Sequence, residues 1–386
     1  MIVVGAGPAG LAFARALRGS GLRVTLVEGQ SRDGLAHPMD DGREIALTHR
    51  SVATLRALGA WDGIDPASIA PLRQACVLDG RSPFALSFAP PEGGGEADGL
   101  GYLVSNHRIR RALFAAVEGQ GGMTLLPDAR VTTAVTGDAG ARVVLHDGRT
   151  IRGRLLVAAD SRFSAVRTQL GIPARIEHMG ASMLVARVTH AEDHGGVATE
   201  WFGHGQTIAL LPLTGRRASV VLTLPGDAAA RLAVADHEAL SRELTRRSAG
   251  RLGAMRVQGD ARLYPLATVW SRHFAATRAA LIGDAAVGMH PVTAHGFNLG
   301  LRGASSLAAL IRVAARRGRD IGGSAALRRY EAEHRLAAGP LFTATGTIVR
   351  LFTDDSPLSR LARPAVLRIA AHSPVRRVAT HLLMSH

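Results

Sequence analysis

The sequence predicts an α/β fold: a Rossmann-like nucleotide-binding domain, an inserted antiparallel-sheet domain, and C-terminal helices. Three observations carry that expectation. The chain opens on the apolar run Ile2 to Val4, followed at once by Gly5-x-Gly7-x-x-Gly10 and a helix-compatible stretch. From about residue 175 to 265 the pattern changes to short alternating runs separated by turns, the period of half-buried strands. Near Ala279 the α/β pattern resumes, and it passes into helical periodicity after Asn298.

The opening unit reads as strand (Ile2 to Val4), glycine turn, helix (about Pro8 to Arg18) and strand (Arg23 to Glu28). Gly5 permits the tight turn, Gly7 the approach of a pyrophosphate, and Gly10 close packing of helix on strand. Glu28 ends the second strand, where a ribose hydroxyl should lie. From Arg43 to Leu58 a strand end runs into a helix carrying Ser51, Thr54, Leu55 and Leu58. The Gly- and Pro-rich stretch Gly80 to Gly101 predicts a loop or hairpin excursion, and Tyr102 to Val117 a short strand leading to an amphipathic helix. Val143 to Leu145 and Thr150 to Ile151 form a hairpin through Asp147-Gly148. Ala181 to Val188, Thr207 to Leu211 and Ala218 to Leu224 supply strands of the second domain. The expected division is 1–75, 100–174 and 266–340 for the nucleotide domain, 76–99 and 175–265 for the sheet domain, and 341–386 for a C-terminal helical segment.

The most informative stretch is Leu281-Ile282-Gly283-Asp284-Ala285-Ala286, continued by His290-Pro291 and Gly296-Phe297-Asn298-Leu299. A strand ending in Gly-Asp puts a carboxylate beside a ribitol or ribose hydroxyl, where it accepts charge-assisted hydrogen bonds. The later glycines let backbone pass close to a flat ring, and a helix opening near Phe297 aims free N–H groups at it. Together with the amino-terminal glycines, this asks for one large cofactor held at both ends, which describes FAD better than NAD alone.

Composition narrows the remaining choices. The formal charge is +15, and all 46 basic residues are arginine, a bias discounted in part as compositional. Aromatics are only 4% and no basic run is interleaved with stacking rings, so nucleic acid is not the expected partner and an anionic lipid surface is preferred. The single cysteine, Cys76, excludes a disulfide framework. No apolar run is long enough to span a bilayer, and the chain opens directly on a strand rather than a signal peptide. The expected location is cytoplasmic or peripheral to the inner membrane. After Asp355 the tail carries Arg360, Arg363, Arg368, Arg376 and Arg377 without an acid, among Leu358, Leu361, Leu367, Ile369 and other apolar residues. Broken by Pro364 and Pro374, this segment reads either as a docking element for an anionic membrane or a partner, or as a closing helix.

The chain resembles the FAD-dependent aromatic hydroxylases related to para-hydroxybenzoate hydroxylase, and within them the ubiquinone-biosynthesis hydroxylases. The likeness is carried by Gly5 to Gly10 with Glu28, by Asp41-Gly42-Arg43-Glu44-Ile45-Ala46-Leu47, by Val157 to Arg167, and by Gly283-Asp284 through His290-Pro291 to Gly300. It implies that Gly5, Gly7, Pro8, Ala9, Gly10 and Glu28 hold the ADP half of FAD, with Arg43 at the pyrophosphate, Asn106 at the flavin and the Val131 backbone at the adenine. Asp160 is implied to act structurally. Arg167 is either a nicotinamide-phosphate site or a surface charge. Asp284 would bind the ribitol, and Gly296, Phe297 and Asn298 would face the flavin. The implied co-substrates are NAD(P)H as electron donor and O2, with oxygen delivered by a C4a-hydroperoxyflavin to a lipophilic aromatic small molecule, a prenylated ubiquinone precursor. His290 and Pro291 would line the ring and substrate. His290 is read either as acceptor of a phenolic proton or as a packed core histidine, and His295 as structural. Two departures stand out: Ser161 replaces the family's usual glycine, and Ala294-His295 replace Gly-Gln. The alternatives are the same chemistry on a soluble phenol or polyketide, and a non-catalytic FAD subunit. Flavin halogenation is disfavoured because it uses a catalytic lysine.

Overall fold

The computed structural model describes residues 1–80, 85–90, 99–203, 205–293, 295–353 and Arg363. A six-stranded sheet has its parallel strands in the spatial order Ala279–Leu281, Leu156–Ala158, Ile2–Val4, Val24–Val27 and Met123–Leu126, with the short strand Ala275–Ala276 antiparallel at one edge. The strands Ile2–Val4, Leu156–Ala158 and Ala279–Leu281 are wholly apolar, as expected where both faces are covered: Ile2, Val157 and Leu281 have no exposed surface. Helices Pro8–Ala16 and Gly296–Arg316 pack against each other beside this sheet. The hairpin strands Gly140–Leu145 and Thr150–Gly153 join Val131–Gly137 in a three-stranded sheet. The last helix, Ser324–Thr353, is tied to the core by the buried Tyr330 hydroxyl, which donates to the Leu281 carbonyl at 2.6 Å.

The second layer is an eight-stranded sheet in the order Val287–Gly288, Met255–Ser271, Ala174–His190, Arg217–Pro225, Gln206–Pro212, Val197–Gly203, Gln74–Asp79 and Ala85–Phe88. The Gly80–Gly101 excursion thus begins inside a hairpin whose two strands extend this sheet, while residues 81–84 and 91–98 lie outside the described residues. One face is covered by helices Gly226–Ala233 and His237–Arg247, with Leu240 and Leu244 packed on Leu184, Leu210 and Leu222. These helices are absent from the sequence reading, which followed the strand period through this region. Asp236, which caps the Ala239 N–H, and the four-residue spacing of Leu240 and Leu244 were the available signals.

The expected domain boundary at 265/266 falls inside the strand Met255–Ser271, which runs unbroken for 17 residues beside the equally long Ala174–His190. A register shift between His178 and Ser182, with Gly180 at φ +63°, bends the pair. A small sheet, Glu44–Leu47, Gly101–Ser105 and Ala70–Leu72, sits between the layers. Of the basic C-terminal segment only Arg363 is among the described residues, donating to the Leu351 carbonyl; Arg360, Arg368, Arg376 and Arg377 lie outside them. No helix among the described residues is long and apolar enough to cross a membrane.

Two predictions follow from burial and backbone. Burial, with Arg302 nearby, pushes His334 down to about 4, and burial with Arg162 does the same to His290. Both rings are neutral in the fold, so the unfolded chain takes up their protons first as pH drops below about 6.5. The contribution of these two histidines is held above that pH and lost progressively toward pH 4, whereas Glu200, which burial pushes up to about 8, works in the opposite sense, so stability also declines as pH rises toward 8. Carboxylate losses begin lower, because hydrogen bonds from Arg246 and Arg278 hold Glu243 and Asp320 down to about 2. Thermal melts from pH 8 to 4 should show both slopes, and His334→Gln should flatten the acid one. The second concerns Ser161, whose φ of +106° is a conformation that strains a residue with a Cβ. Ser161→Gly should raise stability by roughly 0.5–1 kcal/mol in urea unfolding.

Candidate active site

At the amino-terminal end the glycine turn is dictated by contact. A Cβ on Gly5, itself at φ +103°, would lie 2.3 Å from the Ala159 carbonyl oxygen, and one on Gly10 would lie 1.9 Å from that of Gly5. A Cβ on Gly7 would meet nothing within 4 Å, so that side of the turn is open for a ligand to approach. Pro8 occupies the first turn of its helix and no side chain caps the start, which leaves backbone amides pointing outward. Glu28 is braced rather than free: its carboxylate accepts from the Ala6 N–H at 2.6 Å and the Gln30 N–H at 2.9 Å. Remaining lone pairs suit ribose hydroxyls. The Ala129 N–H bonds the Glu28 carbonyl, bringing the backbone at Val131 toward the same end.

At the other end, Gly283 stands at φ +58°, where a Cβ would come within 2.8 Å of the Ala9 Cβ, and a Cβ on Gly300 would come within 3.4 Å of the Gly283 Cα. The early helix, the Gly-Asp turn and the late helix therefore touch. Asp284 is partly exposed and pairs with Arg162 at 3.0 Å. That arginine also donates to the Ala267 carbonyl, a role the sequence reading missed although Arg162 lies within a recognised motif. Asp160 accepts from the Ser164 hydroxyl and the Val166 N–H, so it organises the start of the helix Ala165–Gln169. Arg167 is corrected: it is 3% exposed and donates to the Arg162 and Ala285 carbonyls, so neither a nicotinamide phosphate nor bulk solvent is its partner.

The long helix starts at Gly296 behind the buried His295, again with no side-chain cap. Asn298 clamps this start to the strand Glu44–Leu47: its Nδ2 donates to the Ala46 carbonyl at 2.8 Å, and its Oδ1 accepts from the Thr48 N–H at 3.2 Å. Because the Asn298 side chain is spent on the clamp, the uncapped start offers backbone N–H groups to an anionic ring edge. Phe297 is half-buried against the core. Ala294, one of the two departures, lies outside the described residues.

Arg43 and Asn106 meet each other before they meet any ligand. Arg43 folds back on Asp41 at 2.6 Å with its guanidinium 5.4 Å from the Tyr264 ring centre, and Asn106 donates to the same Asp41 oxygen at 2.7 Å. Burial pushes Asp41 up, but Arg43 and Asn106 outweigh it and hold the carboxyl below the usual range. Next to them Arg187, from the large sheet, pairs with Asp40 and donates to Glu44 at 2.7 Å. Pro291 is exposed at the start of a 3-10 turn, and Val292 packs into an apolar cluster with Leu103, Phe202 and Phe352. A separate cleft of about 460 Å³, lined by Arg50, Asn298, Arg302, Ser305 and His334, opens between helices.

His290 does not suit the proton-acceptor role. It is 9% exposed, and its Nδ1 accepts from the Val292 N–H at 3.2 Å, which assigns the ring proton to Nε2. With its pKa near 4 the ring stays neutral and donates from Nε2. The residues present thus fit FAD at both ends, and they leave a ring-proton acceptor to be found elsewhere. Asp284→Ala, by removing one or two charge-assisted hydrogen bonds, should weaken FAD binding about 10- to 100-fold. Fluorescence titration of apoprotein with FAD measures this; unchanged affinity would exclude the ribitol assignment.

Comparison with known proteins agrees with this geometry. A profile of the FAD binding domain family matches residues 1–345. The chain is 46% identical over 376 residues to the ubiquinone hydroxylase UbiM of Neisseria meningitidis, covering 97% of this chain and 82% of that one. To the ubiquinone hydroxylase UbiL of Rhodospirillum rubrum it is 34% identical over 379 residues, covering 98% and 87%. Among solved structures, HpxO of Klebsiella pneumoniae, in complex with FAD and uric acid, superposes with a TM-score of 0.77 at 24% identity, over 100% of this chain and 96% of that one. The p-nitrophenol 4-monooxygenase PnpA of Pseudomonas putida gives 0.78 at 18% identity, over 99% and 97%. At those identities the structures share the fold. The chain belongs to the FAD binding domain family and, within it, to the FAD-dependent aromatic hydroxylases that include the ubiquinone hydroxylases.

Proposed function

We propose that this protein hydroxylates the aromatic ring of a prenylated ubiquinone precursor, using FAD, O2 and electrons from NAD(P)H. The observation that carries the reading is the contact of Gly283 with Ala9 and Gly300, which brings both ends of the cradle together as a cofactor held at both ends requires. Bound FAD supplies the oxygen activation. The chain's own residues do the rest. Amides at Gly296 to Asn298 hold negative charge at the ring edge, and Glu28 and Asp284 orient the cofactor by its hydroxyls. The face of the large sheet bearing Met183, Val185, Val221 and Leu266 is apolar, which excludes water and suits a greasy ring. Pro291 and His290 are assigned to the substrate edge, His290 as a hydrogen-bond donor. Delivery of such a substrate from the inner-membrane surface, or from a quinone-biosynthesis complex, through the basic C-terminal segment belongs to the same proposal.

Purified FAD-loaded protein supplied with NADH or NADPH should consume oxygen on addition of a prenylated phenol, with turnover falling at least tenfold when the chain is removed. Equal turnover of short soluble phenols would favour the soluble-phenol reading. Absence of any stimulated oxygen uptake would leave the non-catalytic subunit. Expression in strains blocked at each quinone hydroxylation identifies the ring position by which lipid intermediate disappears.

A further inference from the structure

Among the ionisable groups of the large sheet that the roles above do not use is a carboxyl without an ionic partner among the described residues, that of Glu200. Glu200 lies on the strand Val197–Gly203, and side chains two residues apart on a strand share a face. Its neighbours Ala198 and Phe202 both pack into the cluster containing Val292, two residues past His290. Across the sheet Glu200 pairs with Ala209, Ala209 with Val221, and Val221 with Val185. The Val185 side chain ends 3.7 Å from where a Gly42 Cβ would stand, between Asp41 and Arg43. Glu200 therefore belongs to the inner wall, the face opposite the two covering helices. Strands repeat at roughly 4.8 Å, so Glu200 and Val185 are about 14 Å apart on it.

The end of the last helix also packs on this face, through Ile348, Leu351 and Phe352. Glu200 is half-buried, and the small Ala209 beside it leaves room. Among the described residues no cation pairs with its carboxyl and no donor bonds it, and desolvation alone pushes the pKa up to about 8. Groups on the elements packed around it are engaged elsewhere. Asp79 lies near Arg363, Arg350 pairs with Glu177, and Arg251 stacks on Trp201, which alternates to the other face. An uncompensated carboxyl in an apolar wall costs stability, and such groups concentrate where chemistry uses them.

We propose that Glu200 faces the hydroxyl of the phenolic substrate and accepts its proton as oxygen is transferred to the ring. The substrate O–H bond breaks, a Glu200 O–H bond forms, and the electron pair left on the ring oxygen enriches the ortho and para carbons that receive the oxygen. The proton returns to solvent after product release, so no further reactant is consumed. The assignment rests on the proposed aromatic hydroxylation and supplies the acceptor that His290 does not.

The test compares holoenzyme with Glu200→Gln, using 2-nonylphenol and a ring-fluorinated 2-nonylphenol already ionised at the assay pH. Because the native carboxyl is neutral at pH 7, glutamine matches it in shape and charge, and FAD content should be unchanged. Wild-type hydroxylation of nonylphenol should rise about tenfold from pH 7 to 9, following ionisation near 8. Glu200→Gln should be about 100-fold slower and lack that rise. With the ionised phenol the two proteins should agree within about threefold, whereas a merely structural role would slow both substrates alike. Infrared titration without substrate should show a carboxyl band disappearing near pH 8, absent in the variant. Matching pH profiles in wild type and variant would overturn the Glu200 assignment alone. Failure of wild type to turn over either phenol would overturn the hydroxylase reading together with it.

Discussion

Three stretches of backbone converge where Ala9, Gly283 and Gly300 touch, and the site depends on that contact. Packing of this kind tolerates no added side chain: a Cβ at Gly283 would sit 2.8 Å from that of Ala9. The contact brings the uncapped start of the first helix, the Asp284 turn and the uncapped start of the late helix into one region. Two helix starts, each with amides in need of acceptors, then offer complementary ends to a long anionic cofactor. Neither end has this property without the other being brought to it.

A second constraint joins the two layers. Arg187 projects from the large sheet to Asp40 and Glu44, while Asp41 gathers Arg43 and Asn106 beneath Tyr264. Such ionic clusters contribute little net stability once desolvation is counted, but removing one partner strands a charge and is costly. Their effect is positional: they hold the strand Glu44–Leu47, which Asn298 also grips, under the inner wall of the sheet. Arg43 and Asn106, which look in sequence like direct cofactor ligands, also take part through Asp41 in the joint between the two layers.

The division of labour among titratable groups follows from the same burial. His290 is neutral and donates because a backbone amide already occupies its acceptor nitrogen. Glu200 stays protonated near neutrality because nothing around it stabilises a charge. Burial thus moves two groups of opposite type toward neutrality, which leaves each able to exchange a hydrogen bond with a neutral ring.

What the sequence alone determined is what local sterics and periodicity encode. The βαβ opening, the glycine turn, the Gly-Asp turn and the start of the late helix near Phe297 were legible, because each requirement is met within a few consecutive residues. The two helices covering the sheet were missed because alternating strands on either side dominated the pattern, and the expected 265/266 boundary falls within one continuous strand of the large sheet, whose length local pattern does not reveal. Tertiary structure alone decided the rest: that Arg167 is sealed beneath carbonyls, that Arg43 turns to Asp41, and that Glu200 shares a wall with Val185. Those outcomes depend on pairings between residues far apart in the chain, and a side chain's partner, unlike its periodicity, is not written in its neighbours.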